Sequence, residues 1–343
     1  MLKKFAVLTA VFIIAAICVA TTGCGASLGY ELREDGDGNK YYVARCSGYS
    51  ASLSGALEIP AYYGEGDDRA PVTEIAEEGF AGAKITKLVI PETVTKIGAA
   101  AFSYCYGLRE AAFAEGSRIE EIPNGAFAYC RVLQEFKVPS TVKNIGRMAF
   151  YNCFELSGVG LPEGLETISP AAFSNCVALK GVVLPQTLKI IGYEAFYTTA
   201  IEEITIPASV KDGTVTDENG QQQTLPGIGY AAFHTCKSLK KVIIKADVSV
   251  IKSGTFGYCT ALEEIYLPNS VKEVEGGLYS GGKIYYGHPF HNNAALKKVY
   301  FSGTEQEWNA LKEKTDKSSV SENSVAYNNS AFLSAEVLFN VAL

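Results

Sequence analysis

Apolar positions along this chain recur in a fixed order. Between Ala149 and Gly192 the order is written twice, as AFYNCFELSGVGLPEGLETISPA and then AFSNCVALKGVVLPQTLKIIGYE. The anchor phenylalanines of the whole chain are Phe80, Phe102, Phe127, Phe150, Phe173, Phe196, Phe233, Phe256 and Phe290. Their spacings are 22, 25, 23, 23, 23, 37, 23 and 34 residues, a period of 23 with clean insertions. A fixed period of this size predicts a solenoid of stacked coils. Val182 and Leu184 alternate with one residue between them, which predicts a strand, and Pro185 ends it because proline gives no N–H to a ladder. Leu188 and Ile191 form a second apolar pair, and Gly192 then permits a turn. The phenylalanine fills the middle of the coil. No unit can bury its own apolar residues, so stacking is obligatory and the ends need caps.

Two segments break the period. Residues 211–227 (KDGTVTDENGQQQTLPG) and 275–289 (EGGLYSGGKIYYGHP) are polar or glycine-rich and read as surface loops. Residues 30–79 precede the array as a cap. It has strands over Tyr30–Glu34 and Lys40–Arg45 and a degenerate first coil over Ala51–Val72. After the repeats of residues 80–312, residues 313–343 read as a polar linker and a final capping strand over Ala335–Val341. At the start, Lys3 and Lys4 precede an apolar run from Phe5 to Ala20, a charged region and a hydrophobic region of an export signal over residues 1–23. Residues 24–29 are then a tether.

The unit Phe-x-x-Cys-x-x-Leu-x-x-Ile-x-Leu-Pro resembles the BspA-type (Treponema pallidum-type) leucine-rich repeat of bacterial surface proteins, over roughly Val72 to Lys312. The resemblance implies a leucine-rich-repeat solenoid, right-handed, with a parallel β-sheet on one face and short strands, turns and 3-10 pieces on the other. Such a fold is mainly β with little helix. The segment from Gly303 to Leu311 resembles the family's terminal cap, a short helix whose Trp308 packs on the last coil. Thr22-Gly23-Cys24 resembles a bacterial lipobox, with Thr21 where the pattern prefers leucine. The implied fate of Cys24 is a diacylglycerol anchor; ordinary signal cleavage near Ala20 or Gly23 and an uncleaved anchor are the alternatives.

Charge narrows the partners. The chain has 30 basic and 37 acidic residues and a net charge of −7, with the basic residues scattered. That excludes the basic face a nucleic-acid binder needs. Asp35-Gly36-Asp37-Gly38-Asn39 invites a calcium reading, but Lys40 and Cys46 stand where an EF-hand loop needs glycine and glutamate, so a hairpin turn is the better fit. Cys105, Cys130, Cys153, Cys176, Cys236 and Cys259 each fall three residues after an anchor phenylalanine, where other coils have Ala83, Thr199 and Asn293. Stacked parallel coils would hold neighbouring Cβ atoms about 4.8 Å apart, beyond disulfide reach, so buried free thiols are expected. In leucine-rich repeats such a column bonds backbone groups at the turn. His234, His288 and His291 read as solvated loop histidines. No metal site, cofactor or catalytic motif is indicated, and a hydrolase is a remote alternative.

The outward face of the sheet is more informative. One outward column reads Lys87, Glu110, Glu135, Gly158, Gly181, Glu203, Lys241, Glu264, Lys298. The other reads Val89, Ala112, Lys137, Gly160, Val183, Thr205, Ile243, Tyr266, Tyr300 and turns aromatic toward the C-terminal end. An apolar centre with charged flanks is the anatomy of a recognition surface. The expectation is a non-enzymatic, lipid-anchored surface protein. It would bind a protein partner through Ile243, Tyr266 and Tyr300, flanked by Lys241, Glu264 and Lys298. Glycan binding through the loop with Tyr279, Tyr285 and Tyr286 is the second reading.

Overall fold

The computed structural model describes residues 27–216, 222–276, 278–280, 283–317 and 330–342; the leader and Cys24 lie outside them. Its axis is the phenylalanine column. The nine anchors from Phe80 to Phe290 are all 0% exposed. Each ring stacks nearly parallel on the next, with centroids 5.2–5.7 Å apart. Offset parallel rings avoid the repulsion of a face-to-face sandwich. The 23-residue period therefore converts into one ring per coil.

Two ladders of parallel strands flank this column, and both feed one apolar core. The first ladder comes in two runs. The N-terminal run stacks Ser54–Glu58, Lys84–Ile90, Glu110–Phe113, Glu135–Lys137 and Gly158–Gly160. The C-terminal run stacks Glu203–Ile206, Lys241–Ile244, Glu264–Leu267, Lys298–Phe301 and Glu336–Leu338. Between them the coil at Gly181–Leu184 forms no strand, only a bridge from Gly158 to Gly181. The strand expected at Val182 and Leu184 is thus corrected. The alternation survives, since both are buried while Val183 is 83% exposed, but the ladder is interrupted there. The second ladder is built of two-residue strands, among them Glu121–Ile122, Asn144–Ile145, Thr167–Ile168 and Ile190–Ile191.

Coil closure uses two devices that the repeat motif hides. Gly98, Gly146, Gly192 and Gly229 have ordinary backbone angles, so they do not serve the turn that glycine was expected to permit. They serve close approach: a Cβ on Gly146 would stand 2.6 Å from the Asn124 nitrogen, and on Gly192 2.5 Å from the Pro170 nitrogen. The left-handed positions lie elsewhere. Two residues before the anchor, Ala100, Met148, Ala171, Glu194 and Ala231 have φ of 52–55°. Two residues after it, Tyr104, Tyr129, Asn152, Asn175 and Tyr258 have φ of 56–63°.

Both insertions fold as antiparallel hairpins rather than loops, Gly213–Thr216 with Gln222–Leu225 and Leu278–Ser280 with Lys283–Tyr286. Threonine, valine, isoleucine and tyrosine in these segments favour extended backbone and outweigh the glycines. At the N-terminus the first strand begins at Ser27 and pairs antiparallel with Lys40–Ser47, so residues 27–29 of the expected tether are strand, and the rest of it lies outside the described residues. At the other end helix α1 spans Glu305–Lys317, beyond the helix expected and into the polar linker. Thr304 and Glu307 form its reciprocal capping box: the Glu307 N–H donates to Thr304 Oγ1 at 3.3 Å, and the Thr304 N–H to Glu307 Oε2 at 2.9 Å. A second helix, α2 (Ser330–Ser334), brings Phe332 under Phe290 at 4.4 Å as a tenth ring in the column. Trp308 is buried between Phe301 and Phe332.

Candidate functional site

The C-terminal run presents a continuous outward row. Thr205, Ile243, Tyr266, Tyr300 and Leu338 are direct partners across successive strands. Alternation turns Val242, Ile265 and Val299 into the core and leaves Ile243, Tyr266 and Tyr300 half-buried on the outside. The rings of Tyr266 and Tyr300 stack at 4.1 Å, 8° from parallel. The Lys241 ammonium sits 5.1 Å from the Tyr266 centroid, covering its other face. The Tyr300 hydroxyl donates to Glu264 Oε1 at 3.4 Å. Lys241, Glu264 and Lys298 stand in register as the flanking column, which Glu336 continues. Leu338, 36% exposed, extends the apolar row and was missed in the sequence. Its signal was the Ala331-Phe332 doublet, an anchor that sets the register of the last strand.

Tyr279, Tyr285 and Tyr286 do not join this row. Their hairpin leaves the chain after Glu273–Val274, a strand of the second ladder, whereas Tyr266 and Tyr300 belong to the first. Cys24 lies outside the described residues.

The six repeat cysteines form a hydrogen-bonded column. Each thiol donates to the carbonyl of the anchor phenylalanine one coil back: Cys105 to Phe80 at 3.3 Å, Cys130 to Phe102, Cys153 to Phe127 and Cys176 to Phe150 at 3.2 Å, Cys236 to Phe196 at 3.1 Å and Cys259 to Phe233 at 3.2 Å. The Asn293 amide does the same to Phe256 at 3.0 Å. Thr199 bonds the Phe196 carbonyl of its own coil and the Cys236 sulfur. Most of these carbonyls already accept the backbone N–H three residues on, as Phe127 does from Cys130 and Phe150 from Cys153, so each small polar group adds a second bond that ties one coil to the next. All seven described cysteines, Cys46 included, are free and buried. Burial pushes the Cys236 thiol up to about 11 and the Cys176 and Cys259 thiols well above the ordinary range.

The histidines are corrected most sharply. Instead of lying in solvated loops, His234, His288 and His291 are 8%, 4% and 1% exposed. His234 stacks on Tyr197 at 5.4 Å and meets His291 at 5.4 Å, with the Tyr258 ring 4.7 Å from His291. His291 Nδ1–H donates to the His288 carbonyl at 2.6 Å, and His288 Nδ1–H to the Glu275 carbonyl at 3.3 Å. Gly257 makes the room, since any Cβ there would collide with the His291 and His234 rings. Burial holds His234 down to about 4, aided by His291, and lowers the other two. Position one after the anchor is a covered corner, and the sequence offered no sign of what covers it.

A second surface feature went unread in the sequence. On the N-terminal half the turn after the anchor carries exposed Tyr104, Tyr106 and Phe154, with Tyr129 and Tyr151 half-buried beside them. Tyr104 stacks on Tyr129 at 4.5 Å. The Arg131 guanidinium lies between two rings, 4.8 Å from Tyr106 and 5.7 Å from Phe154. Tyr106, Arg131 and Phe154 each stand one residue after a column cysteine, the periodicity that could have revealed them.

The sequence profile described as BspA type leucine rich repeat region matches residues 73–118, 113–214 and 220–307, in six copies. No curated protein sequence matches the chain. Among solved structures, a leucine rich cell surface protein from Faecalibacterium prausnitzii is 20% identical. The match covers 82% of this chain and 95% of that one, with a TM-score of 0.40. A leucine-rich repeat protein from Bacteroides ovatus is 19% identical, over 96% and 99%, TM-score 0.38. The pneumococcal vaccine antigen PcpA is 16% identical, over 97% and 100%, TM-score 0.37.

Proposed function

The chain belongs to the BspA-type leucine-rich repeat family, and from that premise we propose that it is a non-enzymatic bacterial surface lipoprotein that binds a protein partner through the C-terminal run of its first ladder. The observation that carries the reading is the registered row Ile243, Tyr266, Tyr300 with its charged flank. Tyrosine anchors offer large area at low entropy cost, and truncating a true one costs roughly 2 kcal/mol or more. Alternating Lys241, Glu264 and Lys298 favour one docking register over others. The histidines and the thiols among the described residues are buried, which supports binding over chemistry. The family's surface role and the Gly23-Cys24 junction support export and a lipid on Cys24.

The test is capture from cell-surface extracts with the chain lacking residues 1–24, repeated with Tyr266→Ala plus Tyr300→Ala. The double variant should lose the captured protein while keeping its melting temperature. Unchanged capture would make this face scaffold. For the anchor, cells are labelled with a fatty-acid probe: wild type should incorporate it and Cys24→Ala should not, and equal labelling contradicts lipidation.

A further inference from the structure

The N-terminal turn ridge is a second surface with its own chemistry. Arg131 is exposed, and its guanidinium carbon lies 4.8 Å from the Tyr106 ring centroid on the preceding coil and 5.7 Å from that of Phe154 on the following one. Elsewhere on the array lysines are neutralised from the adjacent coil, as in Lys87–Glu110, Lys189–Glu166, Lys240–Glu202 and Lys297–Glu263. Among the described residues no carboxylate forms an ion pair with Arg131. Glu155 bonds the Arg131 carbonyl through its backbone N–H but leaves the guanidinium free. An exposed guanidinium thus stands between two exposed aromatic rings with no carboxylate on its N–H groups. The guanidinium fork matches a carboxylate with two parallel hydrogen bonds. Ring edges carry positive charge density and favour an anion too.

We propose that this ridge docks an acidic–apolar polypeptide segment, with one carboxylate on Arg131 and neighbouring apolar side chains against Tyr104, Tyr106 and Phe154. Three observations choose a polypeptide with sparse charge. The net charge of −7 repels polyanions at long range. Arginine, tyrosine and phenylalanine are the residues enriched in protein interfaces. One face of each ring is already occupied, Tyr106 and Phe154 by Arg131 and Tyr104 by Tyr129, so none offers both faces to a sugar, while each stays exposed enough to receive an apolar side chain. The site is separate from Tyr266 and Tyr300 and does not depend on them.

The test uses an array of nine-residue peptides with a central Asp or Glu among Leu, Ile and Phe, each beside its Asn or Gln counterpart, with uronate and sialyl oligosaccharides printed on the same surface. Wild type should bind the acidic peptides about tenfold or more tightly than their amides, the difference expected of a charge-assisted hydrogen bond. Arg131→Gln should abolish that preference at unchanged melting temperature, and Arg131→Lys, which keeps the charge without the fork, should lose most of it. Tyr266→Ala plus Tyr300→Ala should leave it intact. Failure of wild type to bind, equal binding of acids and amides, stronger binding to the acidic oligosaccharides, or an unaffected Arg131→Gln variant would each overturn the proposal.

Discussion

The two halves of the solenoid use one coil but place their aromatic residues differently. On the N-terminal half, aromatic side chains stand on the turn, Tyr104, Tyr106, Tyr129 and Phe154, while the strands face outward with Glu110, Glu135, Lys137 and Gly160. On the C-terminal half the strands face outward with Ile243, Tyr266 and Tyr300, and the turn corner is closed over His234 and His291. The inner positions do not share this divergence. Stacked phenylalanines and a small polar group on the preceding carbonyl run through both halves. Inward positions are fixed by close packing between neighbours, and outward positions are free to specialise.

Breaking what the halves share should give the largest effect. Phe173→Ala removes a ring touching neighbours on both sides, and such truncations cost about 3–5 kcal/mol. Thermal or urea unfolding should show that loss, with coils of both halves affected because each interface is common to two coils.

Acid should separate the halves. His234 has its folded pKa held below its unfolded value, so the stability of its neutral form is complete above about 6.5 and is lost as pH falls toward 4. The loss is up to about 3 kcal/mol, and the lowered values of His288 and His291 add to it in the same direction. Lys252 and Glu275, paired at 3.3 Å nearby, oppose each other and leave the sign unchanged. Hydrogen exchange at pH 4.5 against pH 7 should therefore loosen residues 229–301 while residues 80–170 stay protected. Uniform loosening would show that the corner is not the acid-sensitive element.

The outward rows should separate by binding rather than stability. Tyr266→Ala plus Tyr300→Ala is expected to weaken partner binding about tenfold or more, whereas Glu110→Ala and Glu135→Ala should leave it unchanged, as read by titration against the captured partner. The smallest effect probes the shared backbone. Ala100 and Ala231 hold φ of 52° in opposite halves. Left-handed backbone costs a non-glycine residue roughly 1–2 kcal/mol, partly offset by glycine's greater chain entropy. Ala100→Gly and Ala231→Gly should each stabilise by about 0.5–1 kcal/mol, a rise in melting temperature of equal sign in both.

The repeat made most of the fold legible. Phenylalanine spacing located nine rings, and alternation on the strands located Ile243, Tyr266 and Tyr300 with their charged flank in register. What escaped had physical reasons. Phe332 lies 42 residues after Phe290, so its Ala-Phe signal was outside the period, and with it went Leu338. Left-handed positions occupied by alanine, methionine and glutamate carry no local mark, because stacking rather than glycine fixes them. The histidines looked polar and therefore exposed; their burial depends on Gly257 and on a corner formed by residues far apart in sequence. The Arg131 ridge stands on the turn, where residues one after each column cysteine recur with the coil period but alternate with no strand pattern to mark them as a surface.

A partner on the C-terminal outward row would leave its footprint in hydrogen exchange of the chain with and without its captured partner. New protection should appear over Lys241–Ile244, Glu264–Leu267 and Lys298–Phe301, centred on Tyr266. Protection confined to the hairpins at 213–225 and 278–286, with those three strands unchanged, would contradict it.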